Sequence, residues 1–240
     1  MFKPLVRKKA PLDIFEQIRS DILNQKFKLG DPLPQEKEMT EQFGVSRQTL
    51  REALRALEAI GMLEIKKGFG GGPVVSDMDR DDLRKLLVNF FVFKDISIKE
   101  LCLVRKLIEP YLASEASKTM SPEQVSELEN LNLQCRKMLD QGKTIIGNPK
   151  EIQFHMNIAR ASGNLILEAI LDFVIFFMEN FKKLYNADLN FSASILKSHE
   201  MITDAIKNKN NLSAANLMSK HISDVENFMI LSHETKRFDN

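Results

Sequence analysis

Residues 33–75 read LPQEKEMTEQFGVSRQTLREALRALEAIGMLEIKKGFGGGPVV, and this stretch predicts two helices joined by a tight turn and followed by a hairpin. Gly44 stands where a chain leaving a helix often adopts a positive φ. Ser46 is a favourable N-cap residue for the second helix. That helix carries leucines three and four residues apart, which predict one buried face: Leu50, Leu54 and Leu57.

Polar side chains crowd the first turn of the second helix: Arg47, Gln48, Thr49 and Arg51. A helix fits the major groove of DNA, and arginine can donate two hydrogen bonds to guanine there. The hairpin pairs Leu63–Lys66 with Pro73–Ser76, and Lys67 and Gly68 lie between these strands. The whole stretch therefore predicts a winged helix-turn-helix that binds double-stranded DNA. The alternative is a helical pair with a solvated basic face.

Composition is that of an ordinary globular protein. The chain has 240 residues, 43% of them hydrophobic and 28% charged, which is enough for two domains. Residues 165–178 are the most apolar run, but they contain Glu168 and Asp172 and are too short to cross a bilayer. Without an apolar segment at the N-terminus, we expect a cytoplasmic protein with no membrane partner. Cys102 and Cys135 are predicted to be reduced, half-buried thiols.

The fold class predicted is mainly α, in two domains. Residues 1–77 would form the winged helix-turn-helix domain, and residues 78–240 an all-helical bundle for effector binding and dimerisation. Predicted helices of the bundle include 97–118, 121–140, 149–162, 165–187, 192–208 and 212–232. The basic arm before Pro11 contains Arg7, which either touches DNA or belongs to a solvated tail.

Histidines and one carboxylate suggest a metal site in the bundle. His155 follows Glu151 by four residues, so both side chains lie on one helix face. His199 and His221 lie on the last two predicted helices. Three imidazoles and a carboxylate suit zinc, nickel, manganese or iron. The alternative is that these histidines are ordinary polar residues of helices.

The first third of the chain resembles the GntR superfamily of bacterial transcription regulators. The segments that carry the resemblance are PLDIFEQIRSDIL, LGDPLPQEKEM, FGVSRQTLREALRALEAIGML and KKGFGGGPVV. The resemblance implies a homodimer that reads an imperfect palindrome. It also implies DNA contacts from Lys37, Arg47 and Arg51, with Ser46, Gln48 and Thr49 beside them, and from Lys67 and Gly68 through the wing. Lys37 stands where many members carry arginine, whose forked contact lysine cannot make.

The second part resembles the FCD effector domain of the FadR-like branch. VRKLIEPYLASEA, EIQFHMNIARASGN, SHEMITDAIKNKN and NLMSKHI carry this resemblance. It implies a divalent metal held by His155, His199 and His221, with Glu151 at a position where the family has aspartate, and a carboxylate effector bound by Arg105. The extra methylene of glutamate would weaken the site, change its metal preference or leave it to three histidines. Arg105 has an alternative role, an ion pair with Glu109 on the same helix face, which would contribute only tenths of a kcal/mol if it were exposed.

The function predicted is a ligand-responsive, sequence-specific DNA-binding transcription regulator whose bundle binds a metal and a small carboxylate. Two alternatives stay open. One is a DNA-binding dimer with a vestigial, metal-free pocket, and the other is a metal-dependent enzyme. Against the enzyme, the sequence has no H-E-x-x-H motif and no nucleophile elbow.

Overall fold

The computed structural model describes residues 10–68, 71–77, 80–91, 93–94, 96–182 and 188–238. The chain forms two compact units that divide between residues 92 and 93. The predicted boundary after residue 77 lies earlier, before helix α4 (Arg80–Phe91). The ranges 1–77 and 78–240 stay a prediction.

The first unit is a small helical domain with a two-stranded wing. Its elements are α1 (Ala10–Leu23), α2 (Glu36–Phe43), α3 (Arg47–Ala59), β1 (Leu63–Ile65) and β2 (Pro73–Val75), followed by α4. The strands are antiparallel, with Leu63 opposite Val75. All three leucines predicted on α3 are buried, in one core with residues from α1, α2 and the strands. The wing is thereby anchored to the helix that it flanks.

The turn between α2 and α3 has the predicted geometry. Gly44 ends α2 with φ 63°, and its N–H donates to the carbonyl of Thr40. Ser46 caps α3, since its hydroxyl accepts a hydrogen bond of 3.2 Å from the backbone N–H of Thr49. These local contacts fix the angle at which α3 leaves the turn.

The second unit is all-helical over its described residues. Its helices are α5 (Ile98–Thr119), α6 (Pro122–Asp140), α7 (Pro149–Ala161), α8 (Leu165–Lys182), α9 (Leu189–Lys207) and α10 (Asn211–Phe238). Helix α5 is central, because it packs against α7, α8, α9 and α10. The fold is mainly α, as predicted.

Two details of the second unit differ from the prediction. Helix α9 begins at Leu189, not at Ser192, because the Asp188 carboxylate accepts the backbone N–H of Phe191 and caps the helix earlier. Helix α10 continues to Phe238, beyond the predicted end at residue 232. The predicted end of α8 near residue 187 lies outside the described residues.

The two thiols are fully buried, not half-buried. Burial raises the pKa of Cys102, and burial together with the nearby Glu151 carboxylate raises the pKa of Cys135 to about 11. Both thiols are therefore protonated and shielded at neutral pH. Among the described residues, no helix is long and apolar enough to cross a membrane.

Candidate functional site

The start of α3 presents the side chains that were predicted to read DNA. Arg47 and Gln48 are exposed, and Arg51 keeps 60% of its side chain accessible. The Arg51 guanidinium is held by Glu36 of α2, whose Oε2 lies 2.9 Å from Nε. Neither arginine packs inward. Arg47 forms no ion pair with the described part of the chain.

The other predicted DNA contacts divide into two groups. Lys37, Lys67 and Gly68 are exposed. The side chains of Ser46 and Thr49 are hydrogen-bonded to each other, with their hydroxyl oxygens 2.8 Å apart. This bond is additional to the helix cap, in which the Ser46 hydroxyl accepts the backbone N–H of Thr49. Their first role is therefore to shape the turn. Arg7 lies outside the described residues.

A concave surface separates the start of α3 from the wing. It has a volume of about 560 Å³, and its cationic lining residues are Lys37, Arg47, Lys66 and Lys67. The wing turn needs a glycine at residue 71, because an added Cβ there would lie 2.3 Å from the carbonyl oxygen of Lys66. Four cations around one concavity form a local basic surface, which attracts a phosphate backbone whatever the net charge of the chain.

Three histidines from three helices meet in the interior of the second unit. His155 of α7, His199 of α9 and His221 of α10 are each about 1% exposed. The Nε2 atom of His221 lies 3.3 Å from Nε2 of His199 and 3.4 Å from Nε2 of His155. One ligand atom of each histidine lies within 4.8 Å of the other two.

These separations fit one metal ion. With metal–nitrogen bonds of about 2.1 Å, two nitrogens on one ion lie about 3.0 Å apart at a right angle and about 3.4 Å apart at the tetrahedral angle. Burial lowers the pKa of His199 well below its ordinary value, and repulsion from His155 lowers it further. His199 is therefore neutral at pH 7, which is the state that binds a metal.

Glu151 lies beside the three histidines. Its Oε1 is 3.8 Å from Nε2 of His155, and its Oε2 accepts the backbone N–H of Gly147 at 3.0 Å. The helix spacing thus brings Glu151 and His155 together, as predicted. Oε1 is farther from His155 than the imidazole nitrogens are from each other, and the set of ligand atoms that lie within 4.8 Å of one another comprises the three histidines without Glu151.

Arg105 lies in the same interior and is 2% exposed. Its Nε donates to Oε1 of Glu109, and its Nη1 donates to the sulfur of Met178 at 3.7 Å. Nη2 lies 3.5 and 3.4 Å from the two ring nitrogens of His155. The ion pair with Glu109, the alternative role for Arg105, therefore exists, and it is buried. Removing one partner of a buried ion pair is strongly destabilising, because it leaves the other charge buried without compensation.

Glu109 is the residue that sequence reasoning assigned too small a role. Its Oε2 accepts a hydrogen bond of 2.6 Å from Nδ1 of His155. Burial by itself would raise the pKa of Glu109, but attraction from Arg105 and His155 outweighs burial and holds that pKa at about 2. Glu109 is thus an anion that holds both Arg105 and His155. Only its spacing from Arg105 was visible in the sequence.

The space beside Arg105 is closed. Its lining includes Arg105, Glu151, His155 and Met178, and its volume of about 0 Å³ leaves no room for a water molecule. A ligand that reached Arg105 would have to open this space.

Two family models match the chain. The model of bacterial regulatory proteins of the gntR family matches residues 12–71, and the FCD domain model matches residues 100–224, which is more than half of the chain. The chain belongs to the GntR family of regulators and carries an FCD domain. Members of these families are DNA-binding transcription regulators and not enzymes, so the metal-dependent enzyme is excluded.

Individual GntR relatives extend over nearly the whole chain. The HTH-type transcriptional regulator LutR of Bacillus subtilis is 28% identical over 213 residues, which are 87% of this chain and 95% of LutR. The HTH-type transcriptional repressor NanR of an Enterobacter species is 28% identical over 231 residues, 93% of this chain and 86% of NanR.

A solved GntR structure shows the same fold. The Streptococcus agalactiae GntR structure covers 90% of this chain and 99% of its own, with a TM-score of 0.67 and 26% identity. E. coli McbR/YncC, at 17% identity and a TM-score of 0.50, agrees in fold alone.

Proposed function

We propose that this GntR regulator reads an imperfect palindrome as a homodimer, and that its FCD bundle binds a divalent metal beside a small carboxylate effector. The convergence of three buried Nε2 atoms from α7, α9 and α10 is the observation that carries the second half of this proposal. The exposed start of α3 beside a cationic wing carries the first half. Location in the cytoplasm remains a prediction.

DNA reading would follow from the two exposed arginines of α3. Arg47 would contact a base edge or a phosphate without first breaking an intramolecular ion pair, because it forms none within the described part of the chain. Arg51 would reach the groove with its free guanidinium nitrogens while Glu36 orients its Nε. Lys37 and Lys67 would contact phosphates from the two sides of the concavity.

The metal would be held by His155, His199 and His221, with Glu151 as the fourth ligand. Zinc, nickel, manganese and iron all accept this donor set. When bound, the ion supplies positive charge that can hold an anionic ligand. His155 would present Nε2 to it, because Nδ1 is hydrogen-bonded to Glu109.

The carboxylate effector would compete with Glu109 for Arg105. Arg105 is the cation beside the histidines, but Glu109 already accepts its Nε–H. Since the adjacent space has no room for a ligand, binding requires α5, α7 or α8 to move. A ligand that binds only the opened arrangement shifts the population toward it, which is the condition for regulation.

One observation favours a simpler second function. The closed space and the internal Arg105–Glu109 pair are also what a ligand-free structural bundle would show. In that case the chain is a DNA-binding dimer with a vestigial pocket, and no carboxylate would change its DNA affinity.

DNA binding is tested with the region upstream of the protein's own gene. We expect binding that weakens steeply with salt, and Arg47→Ala should cost about 1–3 kcal/mol for a lost base contact. Arg136→Ala is the matched control, because this arginine is 46% exposed on α6 of the other unit. Equal binding by both variants would overturn the assignment of α3.

Metal binding is tested by elemental analysis of protein purified without chelator. We expect close to one equivalent of a transition metal per chain, and less than about a tenth of an equivalent would overturn the metal site. A thermal-shift screen of organic acids, with and without divalent cations, then distinguishes a bundle that binds an effector from one with a vestigial pocket. An acid that stabilises the protein only with metal present supports the effector.

A further inference from the structure

A groove on the surface of the second unit lies between helices α6 and α9, and we call it the α6–α9 groove. Its volume is about 250 Å³. Each helix contributes residues three and four positions apart, which share one helix face. From α6 these are Glu129, Asn132, Leu133 and Arg136, and from α9 they are Glu200, Thr203 and Asp204. The groove shares no lining residue with the closed space beside Arg105.

An ion pair crosses the groove at each end. Oε1 of Glu129 lies 2.8 Å from Nζ of Lys207, and Oε1 of Glu200 lies 2.6 Å from Nη2 of Arg136. Along α6 the two pairs are separated by about 10 Å, two turns of helix. The groove therefore has the length of a small molecule and not of a peptide segment.

The two buried lining residues, Asn132 and Thr203, form the floor of the groove. Asn132 is 5% exposed, and its Nδ2 donates to the Thr203 hydroxyl at 2.9 Å. The orientation of the amide is fixed, because the Thr203 hydroxyl gives its own proton to the carbonyl of His199 and can only accept from Asn132. Oδ1 of Asn132 is thus an acceptor that no described residue satisfies. Such an acceptor points to a donor from outside the chain.

Asp204 is the acid of the groove that stays available. It is exposed, and its carboxylate forms no hydrogen bond or ion pair within the described ranges of the chain. Lys207, one turn further along α9, is bonded to Glu129, and this bond raises the pKa of Lys207 more than attraction from Asp204 does. Asp204 can therefore accept a cation from solution.

The lining selects a positively charged ligand that donates hydrogen bonds. It contains three carboxylates and one cation, Arg136, which is already paired with Glu200. Oδ1 of Asn132 and the carboxylate of Asp204 both accept hydrogen bonds, and an ammonium group only donates them. Leu133 is 53% exposed and adds apolar surface for an alkyl chain.

We propose that the α6–α9 groove binds a small alkylammonium ion, which donates to Oδ1 of Asn132 and to the carboxylate of Asp204 and packs its chain against Leu133. A bare calcium ion fits less well, because it takes about six to eight oxygen ligands. The proposed metal, carboxylate effector and homodimer play no part in this site, so their failure would leave it standing.

Titration of the full chain with butylammonium, followed by saturation-transfer difference NMR, tests the ligand class. We expect saturable binding in roughly the millimolar range for a ligand of this size. 1-Butanol has the same chain without the charge and should bind at least about tenfold more weakly. Butylammonium that does not saturate, or that binds no better than 1-butanol, would overturn the proposal.

Two variants test the position of the site. Asp204→Asn should raise the Kd for butylammonium at least about tenfold, because it removes the charge that faces the ammonium. Asn132→Leu should also raise that Kd, because it removes Oδ1 while Thr203 keeps its bond to His199. Asp13→Asn makes the same charge change at an exposed position of α1 and is the matched control. Circular dichroism should show all three variants folded.

The variants separate this groove from a general effect of charge. A loss of affinity that Asp13→Asn shares with Asp204→Asn would reflect net charge and overturn the site. Wild-type affinity in either groove variant would overturn it as well. If Asn132→Leu fails to fold, Asp204→Asn decides by itself, since Asp204 is exposed and its replacement leaves the packing intact.

Discussion

Glu109 shows how one side chain can organise a buried site. It accepts hydrogen bonds from Arg105 and from Nδ1 of His155, and so compensates the charge of one and orients the ring of the other. A histidine whose Nδ1–H is held by a carboxylate presents Nε2 to a metal, and such outer partners tune metal affinity. Nε2 of His155 is the atom that faces His221.

At this scale we predict that Glu109→Gln lowers metal affinity by about 10–100-fold. The amide keeps the size of the side chain but leaves the positive charge of Arg105 uncompensated near the ion. A competition titration with a chromophoric chelator measures the effect. Glu127→Gln, on an exposed position of α6, should leave the affinity unchanged. Equal affinities for the two variants would contradict the role of Glu109.

At the scale of elements, local hydrogen bonds decide where helices start and where the wing turns. Helix α5 begins with a capping box, in which the Ser97 hydroxyl accepts the N–H of Glu100 and the Glu100 carboxylate accepts the N–H of Ser97. The wing turn closes through the N–H of Gly71, which donates to the carbonyl of Gly68 at 3.0 Å. Both features can be altered without touching the core.

The wing predicts a contrast between two adjacent glycines. Gly71→Ala should distort the wing, because its Cβ would meet the Lys66 carbonyl, and DNA affinity should fall with little loss of global stability. Gly72→Ala meets nothing within 4 Å and is the matched control. Fluorescence anisotropy with labelled DNA compares the two. A larger loss for Gly72→Ala would contradict the contribution of the wing turn.

The capping box predicts a pH effect. Hydrogen bonds from the Ser97 hydroxyl and backbone lower the pKa of Glu100, so this stabilisation is present above the ordinary value of 4.5 and disappears as pH falls through the lowered pKa. Ser97→Ala should therefore raise the Glu100 pKa in an NMR titration and cost about 1 kcal/mol of stability at pH 7. Ser126→Ala, mid-helix and exposed, should cost nothing. An unchanged Glu100 pKa would contradict the box.

At the scale of the whole molecule, the chain combines two compact units with different chemistry. The first presents cations on its surface around a concavity, and the second places histidines, Arg105 and Glu109 in its interior. Since the histidine cluster brings α7 together with α9 and α10, a bound ion would connect α7 to two helices that lie much later in the sequence.

Metal removal should therefore destabilise the second unit selectively. At a free-ion concentration 100 times Kd, binding adds about 2.7 kcal/mol to the stability of the folded form. Differential scanning calorimetry of the full chain should show an unfolding transition of the second unit. Its midpoint temperature should fall when a chelator is added and recover when the ion is restored. His221→Gln should abolish the shift. A shift that survives this substitution would place the ion elsewhere.

The sequence by itself determined the features that depend on neighbours along the chain. The turn at Gly44, the cap at Ser46, the buried leucines of α3 and the spacing of Glu151 and His155 all follow from local geometry, and the structure agrees with each. Tertiary structure alone decided what depends on distant packing. The burial of Arg105 with Glu109 and the distances among His155, His199 and His221 arise from how α5, α7, α9 and α10 pack. Helical periodicity states which side chains share a face, but not which face another helix covers.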